Sequence, residues 1–288
     1  MYQILHKEKL GPDIWLYRIK APDVARYRKP GQFVIVRISE NGERIPITIA
    51  DVDNEEGSVT LIVQAVGKTT LEMTGLNPGD AVPTVTGPLG KPTHIENVGR
   101  VLCVGGGIGI APLYPVARGM REAGNHVTSI IGARSADLLI LEDRMRDASH
   151  EMIITTDDGT KGCRGFVTDS IRNLIDIGDS FDLCVAMGPP IMMKCVCDMT
   201  REYGIPTIVS LNPIMVDGTG MCGCCRVTVG SAVKFACVDG PEFDGHQVDF
   251  DELITRLSTY RNQERESLER FGSESGCRLD AVLEGGRA

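Results

Sequence analysis

No apolar run in this chain reaches the roughly 18–20 residues that a membrane helix needs, so no spanning segment is expected. Positive charge is scarce as well: 30 lysines and arginines stand against 39 aspartates and glutamates, a net charge of −9. A surface of that sign repels phosphate backbones and anionic lipid, which argues against a nucleic-acid or membrane partner. The first residues, Met1-Tyr-Gln-Ile-Leu-His-Lys7, lack the apolar core of a signal peptide and pass straight into a strand pattern; a cytoplasmic location is therefore expected. In a reducing compartment the ten cysteines read as thiols or metal ligands rather than a disulfide framework. There is no internal repeat, and only one C-x2-C knuckle where zinc sites more often pair two.

The residues present fall into stretches of different period. Apolar content of 42% and charged content of 24% are those of a soluble globular protein, and 288 residues suit two domains with a small third. Residues 1–97 read as short strands at Tyr2–Lys7, Ile14–Lys20, Gln32–Ser39, Ile47–Val52, Ser58–Val66 and Ala81–Val85, broken by turn signals such as Lys29-Pro-Gly31 and Asn77-Pro-Gly-Asp80. With Thr69–Leu76 as the only helix, this spacing predicts an antiparallel β-barrel. Over residues 98–210 strands at Val101–Gly105, His126–Gly132, Met152–Thr156, Leu183–Met187 and Thr207–Ser210 alternate with helices at Ile110–Ala123, Leu138–Ala148, Gly165–Leu174 and Pro190–Tyr203. That βαβ series predicts an α/β domain with a mostly parallel sheet and helices on both faces. Residues 211–250 turn to glycine and cysteine, with short strands at Cys225–Val229 and Ala232–Ala236. Residues 251–288 are expected to form a charged, solvated helix from Glu252 to Phe271 and a poorly ordered tail from Gly272.

Several motifs suit phosphate. Arg44-Ile-Pro46-Ile47-Thr48 stands at a strand entry; a guanidinium fork matches a pyrophosphate, and a hydroxyl with backbone amides matches the edge of an isoalloxazine. Gly67-Lys68-Thr69-Thr70 opens a short helix whose amides would hold the same pyrophosphate. Taken singly, the first is more often just an exposed arginine and the second a common turn. Gly105-Gly106-Gly107-Ile108-Gly109 lies between a buried strand and a helix, where a backbone can approach a dinucleotide, although its spacing is not G-x-G-x-x-G. Met187-Gly188-Pro189-Pro190 ends the next-to-last strand of the series, where open α/β sheets bind ligands. It would also serve as a plain strand-to-helix turn with proline at the first helical position.

The densest chemistry is Asp217-Gly-Thr-Gly-Met-Cys222-Gly-Cys224-Cys225, with Cys237 beyond it. Asp217, Cys222, Cys225 and Cys237 follow D-x4-C-x2-C-x11-C; with cysteine first this would be a plant-type [2Fe–2S] pattern. Gly218, Gly220 and Gly223 would let amides approach cluster sulfurs. Zinc with Cys224 in place of Asp217, or a redox dithiol within Cys222–Cys225, are the alternatives. Cys195 and Cys197, two apart on an expected helix, read as structural.

Taken in order, these motifs resemble the ferredoxin–NADP reductase superfamily over roughly residues 1–250, and within it the branch that carries a C-terminal [2Fe–2S] segment. The resemblance implies FAD on the barrel. Arg44 would lie on the pyrophosphate, Pro46, Ile47 and Thr48 at the isoalloxazine, and Gly67, Lys68, Thr69 and Thr70 again at the phosphates. It implies NAD(H) over Gly105, Gly106, Gly107, Ile108 and Gly109 and over Met187, Gly188 and Pro189. Arg134-Ser135 would suit a 2′-phosphate, whereas Asp137 and Glu142 would favour a free 2′-hydroxyl; the family likeness favours NADH. No side chain is implied as catalytic, because the flavin carries the chemistry. Many relatives have a cysteine where this chain has Met187.

The likeness also implies Asp217, Cys222, Cys225 and Cys237 as cluster ligands. Four cysteines mark the electron-transfer subunits of dihydroorotate dehydrogenases. An aspartate in first place resembles the small subunits of electron-bifurcating NADH-dependent reduced ferredoxin:NADP oxidoreductases. The expectation is therefore an oxidoreductase subunit in a heterodimer, its partner a larger flavin and [4Fe–4S] subunit that handles NADPH and ferredoxin. A dihydroorotate dehydrogenase-type complex and a non-catalytic zinc- or thiol-based redox sensor are the rivals.

Overall fold

The computed structural model describes residues 1–272. β-Branched and aromatic residues build β1 (Tyr2–Gly11), β2 (Ile14–Lys20), β3 (Phe33–Arg37), β4 (Ile45–Asp53), β5 (Ser58–Gln64), β6 (Ala81–Val82) and β7 (Thr84–Leu89). They pair in the order β6-β1-β2-β5-β4-β3-β7, an antiparallel and nearly closed barrel. The expected strand Ala81–Val85 is split at Pro83, which has no N–H for a ladder. The break lets β6 pair with β1 and β7 with β3, at opposite ends of the sheet. Thr69–Leu76 appears as α2 (Lys68–Met73), but it is not the only helix: α1 (Pro22–Tyr27) lies between β2 and β3. Pro22 sits in its first turn, where a missing N–H costs nothing, and Val24 and Ala25 bury into the barrel core.

The second unit runs β8 (Arg100–Gly106), α3 (Ile110–Glu122), β9 (His126–Ala133), α4 (Glu142–Asp147), β10 (Glu151–Thr156), β11 (Cys163–Arg164), α5 (Val167–Asp176), β12 (Leu183–Met187), α6 (Pro190–Glu202) and β13 (Thr207–Ser210). Its sheet order is β11-β10-β9-β8-β12-β13-β16, where β16 (Glu242–Asp244) is an unexpected antiparallel edge strand on β13. The chain leaves β8 towards β9 on one side and reaches β12 on the other, so the sheet reverses direction beside β8. The carboxyl ends there are in register, Gly105 opposite both Ile131 and Met187. Leu138–Ala148 is not one helix. A 3-10 turn at Ala136–Leu138 precedes α4, and Leu138, Leu139 and Leu141 pack against the shared core instead.

After β13 come a hairpin of β14 (Arg226–Val229) and β15 (Ala232–Phe235), then α7 (Ala236–Asp239), β16 and α8 (Phe250–Leu257). The expected helix from Glu252 to Phe271 is two helices separated by a turn at 258–260. The first is not wholly solvated, since Phe250 and Leu253 are buried and Asp249 caps it by accepting from the Glu252 N–H at 2.8 Å. The expected tail beyond Gly272 lies outside the described residues. No helix among the described residues is long and apolar enough to cross a membrane.

The two large units share one core. Ile14, Leu16, Ala50 and Ile62 from the barrel's outer face pack with Ile110, Leu113, Tyr114 and Ala117 of α3. Asp51 sits at the rim of this seam, 3.2 Å from Arg118 and 3.6 Å from Arg144. A second seam is closed by Glu242, whose carboxylate accepts from the Thr93 hydroxyl at 2.6 Å. Burial raises this carboxyl to about 7, only partly offset by the Thr93 hydrogen bond. The native state thus holds the proton more tightly than the unfolded chain. The stabilisation is complete below about pH 4.5, the ordinary carboxyl value, and is lost as pH climbs to about 7. Glu242→Gln should match the wild type near pH 4.5 and exceed it by up to roughly 3 kcal/mol at pH 8. Urea unfolding midpoints of both proteins across that range measure it; a constant offset would contradict the assignment.

Candidate functional site

The flavin motif lies on the outside of the barrel. Phe33 pairs with Thr48 and Ile35 with Pro46 across β3 and β4, and opposed residues share a face. Val34, Val36 and Ile47 point into the barrel core, so Phe33, Ile35, Pro46 and Thr48 form an outer patch. Ile47 can therefore meet a ligand there only through its backbone. The Thr69 hydroxyl donates to the Glu43 carboxylate, which gathers the Arg44 and Gly67–Thr70 motifs at one place. A phosphate bound there would take the Thr69 hydroxyl from Glu43. Thr70 is otherwise engaged: its Oγ1 accepts from the N–H groups of Val66 and Gly67, each at 3.0 Å, and donates to the Gly67 carbonyl. Lys68 is exposed beside them.

Arg44 reaches across to a different segment. Its Nε donates to the Val216 carbonyl at 2.8 Å and its Nη2 to the Asp217 carbonyl at 3.4 Å. Nothing in the spacing of residues so far apart signals that contact.

A cleft of about 510 Å³ opens between the barrel and the carboxyl ends of the parallel strands. Of the expected nucleotide residues, Gly106, Gly107, Ile108, Arg134 and Pro189 line it. Gly105, Gly109, Met187 and Gly188 lie beneath, with Met187 buried. Gly109 is there for close approach: a Cβ would stand 2.3 Å from the Met187 carbonyl oxygen, so only glycine lets the two turns touch. Ile14 and Gln64 reach the cleft from the barrel, and Asp157, Phe166, Ile191 and Cys195 from the α/β unit. Sequence reading missed these because they come from separate segments. Phe166 is 64% and Ile191 60% exposed, an unusual state for large apolar side chains that flank a cavity mouth. Cys195 thus borders the cleft, whereas Cys197 is buried. Asp157, not Glu142, stands with Arg134. Glu142 is paired with Arg146 at 3.0 Å and with Lys161, whose hydrogen bond holds its carboxyl below the ordinary value.

In the cysteine loop the four expected ligands form two pairs. Cys225 and Cys237 have their sulfurs 3.2 Å apart and lie buried with Phe33, Ile35, Met215 and Ala236. Two thiolates on one tetrahedral metal at about 2.3 Å would stand roughly 3.7 Å apart. Asp217 accepts from the Cys222 N–H at 2.8 Å and the Thr219 N–H at 2.9 Å. Those amides, Thr219 first, hold its carboxyl below the ordinary value. Main-chain groups of Cys224 and Asp217 likewise lower the exposed Cys222 thiol. Burial, then the Cys225 thiol, push Cys237 up to about 12, so a metal binding there would have to displace its proton. Among the described residues no three such side chains converge on one ion-sized point. A two-iron cluster asks for two pairs instead, and the loop offers two. Gly218 bends it at φ +78°, and a Cβ there would lie 2.7 Å from Leu89 and 2.9 Å from Ile35.

Two family models match the chain. The iron–sulfur cluster binding domain of dihydroorotate dehydrogenase B covers residues 212–249, and an oxidoreductase NAD-binding domain covers residues 103–198. The chain is 52% identical over 274 residues to a Thermotoga maritima protein named as a homologue of the electron-transfer subunit of dihydroorotate dehydrogenase B (NAD(+)), covering 95% of this chain and 96% of that one. The corresponding electron-transfer subunit of Geobacillus thermodenitrificans is 37% identical over 234 residues, 78% of this chain and 88% of its own. A chain from a structure of NADH-dependent reduced ferredoxin–NADP oxidoreductase, described for flavin-based electron bifurcation, superposes with a TM-score of 0.89 at 51% identity. It covers 94% of this chain and 98% of its own. A Neisseria gonorrhoeae ferredoxin NADP+ reductase shares the fold alone, at 16% identity and a TM-score of 0.57 over 70% of this chain and 90% of its own. FAD, NAD and an iron–sulfur cluster, the cofactors implied by the motifs, are those of this family. The chain belongs to the family of dihydroorotate dehydrogenase B electron-transfer subunits and their homologues, on a ferredoxin–NADP reductase fold.

Proposed function

We propose that this chain is the NAD(H)-facing subunit of an electron-bifurcating NADH-dependent ferredoxin:NADP oxidoreductase. In this reading its partner is a larger subunit with flavin and [4Fe–4S] clusters that handles NADPH and ferredoxin. Bound FAD would supply two-electron hydride chemistry with NAD(H), and a bound [2Fe–2S] cluster would supply single-electron transfer to the partner. The protein's own residues supply position. Arg44 and the Gly67–Thr70 turn would hold the flavin phosphates, and Pro46 and Thr48 would lie at the isoalloxazine. Gly106, Gly107, Ile108, Arg134 and Pro189, which line the cleft, would hold the nicotinamide nucleotide. Asp217 with Cys222, and Cys225 with Cys237, would each grip one iron.

One observation carries the reading. Pro46 and Thr48 lie on the same outer barrel face as Phe33 and Ile35, against which Cys225 and Cys237 are buried. Flavin and cluster would thus be neighbours across two strands, as single-electron transfer requires. Aspartate in first place favours the bifurcating assembly, as does the 0.89 superposition over nearly the full chain. A second reading, service to a dihydroorotate-oxidising subunit, is favoured by the names of several relatives. The partner recovered when the native complex is purified without oxygen separates the two: a flavin and [4Fe–4S] subunit supports the first, a dihydroorotate-oxidising one the second.

Cys222→Ser and Cys237→Ser should each lose most of the iron, with flavin content falling far less. Metal analysis and the visible spectrum check this, and full iron retention in both variants would refute the ligand set. Gly107 has φ +54° and open space where a Cβ would point. Gly107→Ala should cost the fold only about 1 kcal/mol, or roughly 2–4 °C in Tm. It should weaken NADH binding about tenfold, near 1.4 kcal/mol, by intruding on the phosphates. Calorimetric titration with unchanged affinity would place the nucleotide elsewhere.

A further inference from the structure

The loop that begins the cluster site, residues 215–225, contains no helix or strand of its own, so its carbonyls must find partners outside regular structure. Two of them, on Val216 and Asp217, are taken by the Arg44 guanidinium at 2.8 and 3.4 Å. The same stretch is also seated on the barrel by packing: Met215 lies with Phe33 and Ile35, and a Cβ on Gly218 would crowd Leu89 and Ile35. The Asp217 backbone is fixed by these contacts, while its carboxylate is turned inward onto the N–H groups of Thr219 and Cys222. Arg44 carries five N–H donors in a rigid fork. The carbonyls use two, which leaves three for a phosphate.

We propose that Arg44 is a positioning residue for the iron–sulfur cluster as well as a flavin ligand, so that one side chain couples cluster retention to FAD binding. The inference rests on the flavin and cluster assignments above. Coupling of this kind is reciprocal: whatever FAD gains from an ordered cluster loop, the loop gains from bound FAD. Lysine keeps the charge but not the two-pronged geometry, so Arg44→Lys should recover only part of the effect.

The test uses the anaerobically purified complex, with iron release to an excess of chelator followed in the visible spectrum. Wild type, Arg44→Ala, Arg44→Lys and Lys68→Ala are compared with and without saturating FAD. Arg44→Ala should lower flavin content and also speed iron release about tenfold, equivalent to ~1.4 kcal/mol. Saturating FAD should refill its flavin site without restoring slow release, and the EPR signal of its reduced cluster should shift from the wild-type g-values. Lys68→Ala should lower flavin content, and its iron release should return to the wild-type rate once FAD is restored. Wild-type release and EPR in Arg44→Ala would overturn the proposal. So would complete recovery of slow release on adding FAD, because the effect would then run through the flavin and not the carbonyl contacts. A wild-type complex without iron would instead overturn the site assignment itself, and the coupling with it.

Discussion

Everything in this structure depends on the barrel having two working faces. Its interior is an ordinary core of Val34, Val36, Ile47, Ile49, Val59 and Leu61. Its exterior is covered twice: β2, β4 and β5 pack Leu16, Ala50 and Ile62 against α3, and β3 packs Phe33 and Ile35 against the cysteine segment. A strand buried on both sides cannot slip register without exposing one apolar set or the other. That constraint holds Thr48 beside Phe33, and hence the outer patch of Pro46 and Thr48 beside the buried pair Cys225 and Cys237. The same constraint fixes the cleft between the two units, since Ile14 helps form the shared core and also lines the cavity.

The electrostatics of the cysteine loop complement this packing. Its outer pair, Asp217 and Cys222, carries lowered values because backbone N–H groups stabilise the charged forms. Its inner thiol, Cys237, is raised because burial disfavours the thiolate. Across the loop, the lowered carboxyl and thiol of Asp217 and Cys222 thus lie at the surface and the raised Cys237 thiol lies within.

Much of this was legible in the chain. The period-2 strands, the glycine-rich turn after a continuous apolar strand, and the βαβ alternation are local signals, and they predicted both the barrel and the parallel sheet. The failures were non-local or steric. Pro83 broke a strand that its neighbours would have continued. Leu138, Leu139 and Leu141 looked helical because they are apolar, yet they serve as a packed connector. The edge strand at Glu242–Asp244 has three residues, too short a run to signal itself, and exists because β13 offers a free edge. The cleft's Ile14, Gln64, Phe166 and Ile191 come from four places, so no spacing rule collects them. Arg44 was legible as a phosphate residue from its motif, but not as a partner of Val216 and Asp217.

The edge strand has a mechanical meaning. The chain leaves the α/β sheet at β13, runs over the barrel as the cysteine segment, and returns to the same sheet by pairing Phe243 with Val209. It is therefore a strap tied to one body at both ends and pressed against the other in the middle. Hinge-like rotation of the two bodies would have to peel the strap from the barrel or unzip its terminal strand. With the two bodies tied in this way, a ligand entering the cleft would have to be admitted by the exposed side chains at its mouth, Phe166 and Ile191, rather than by a swing of one body from the other.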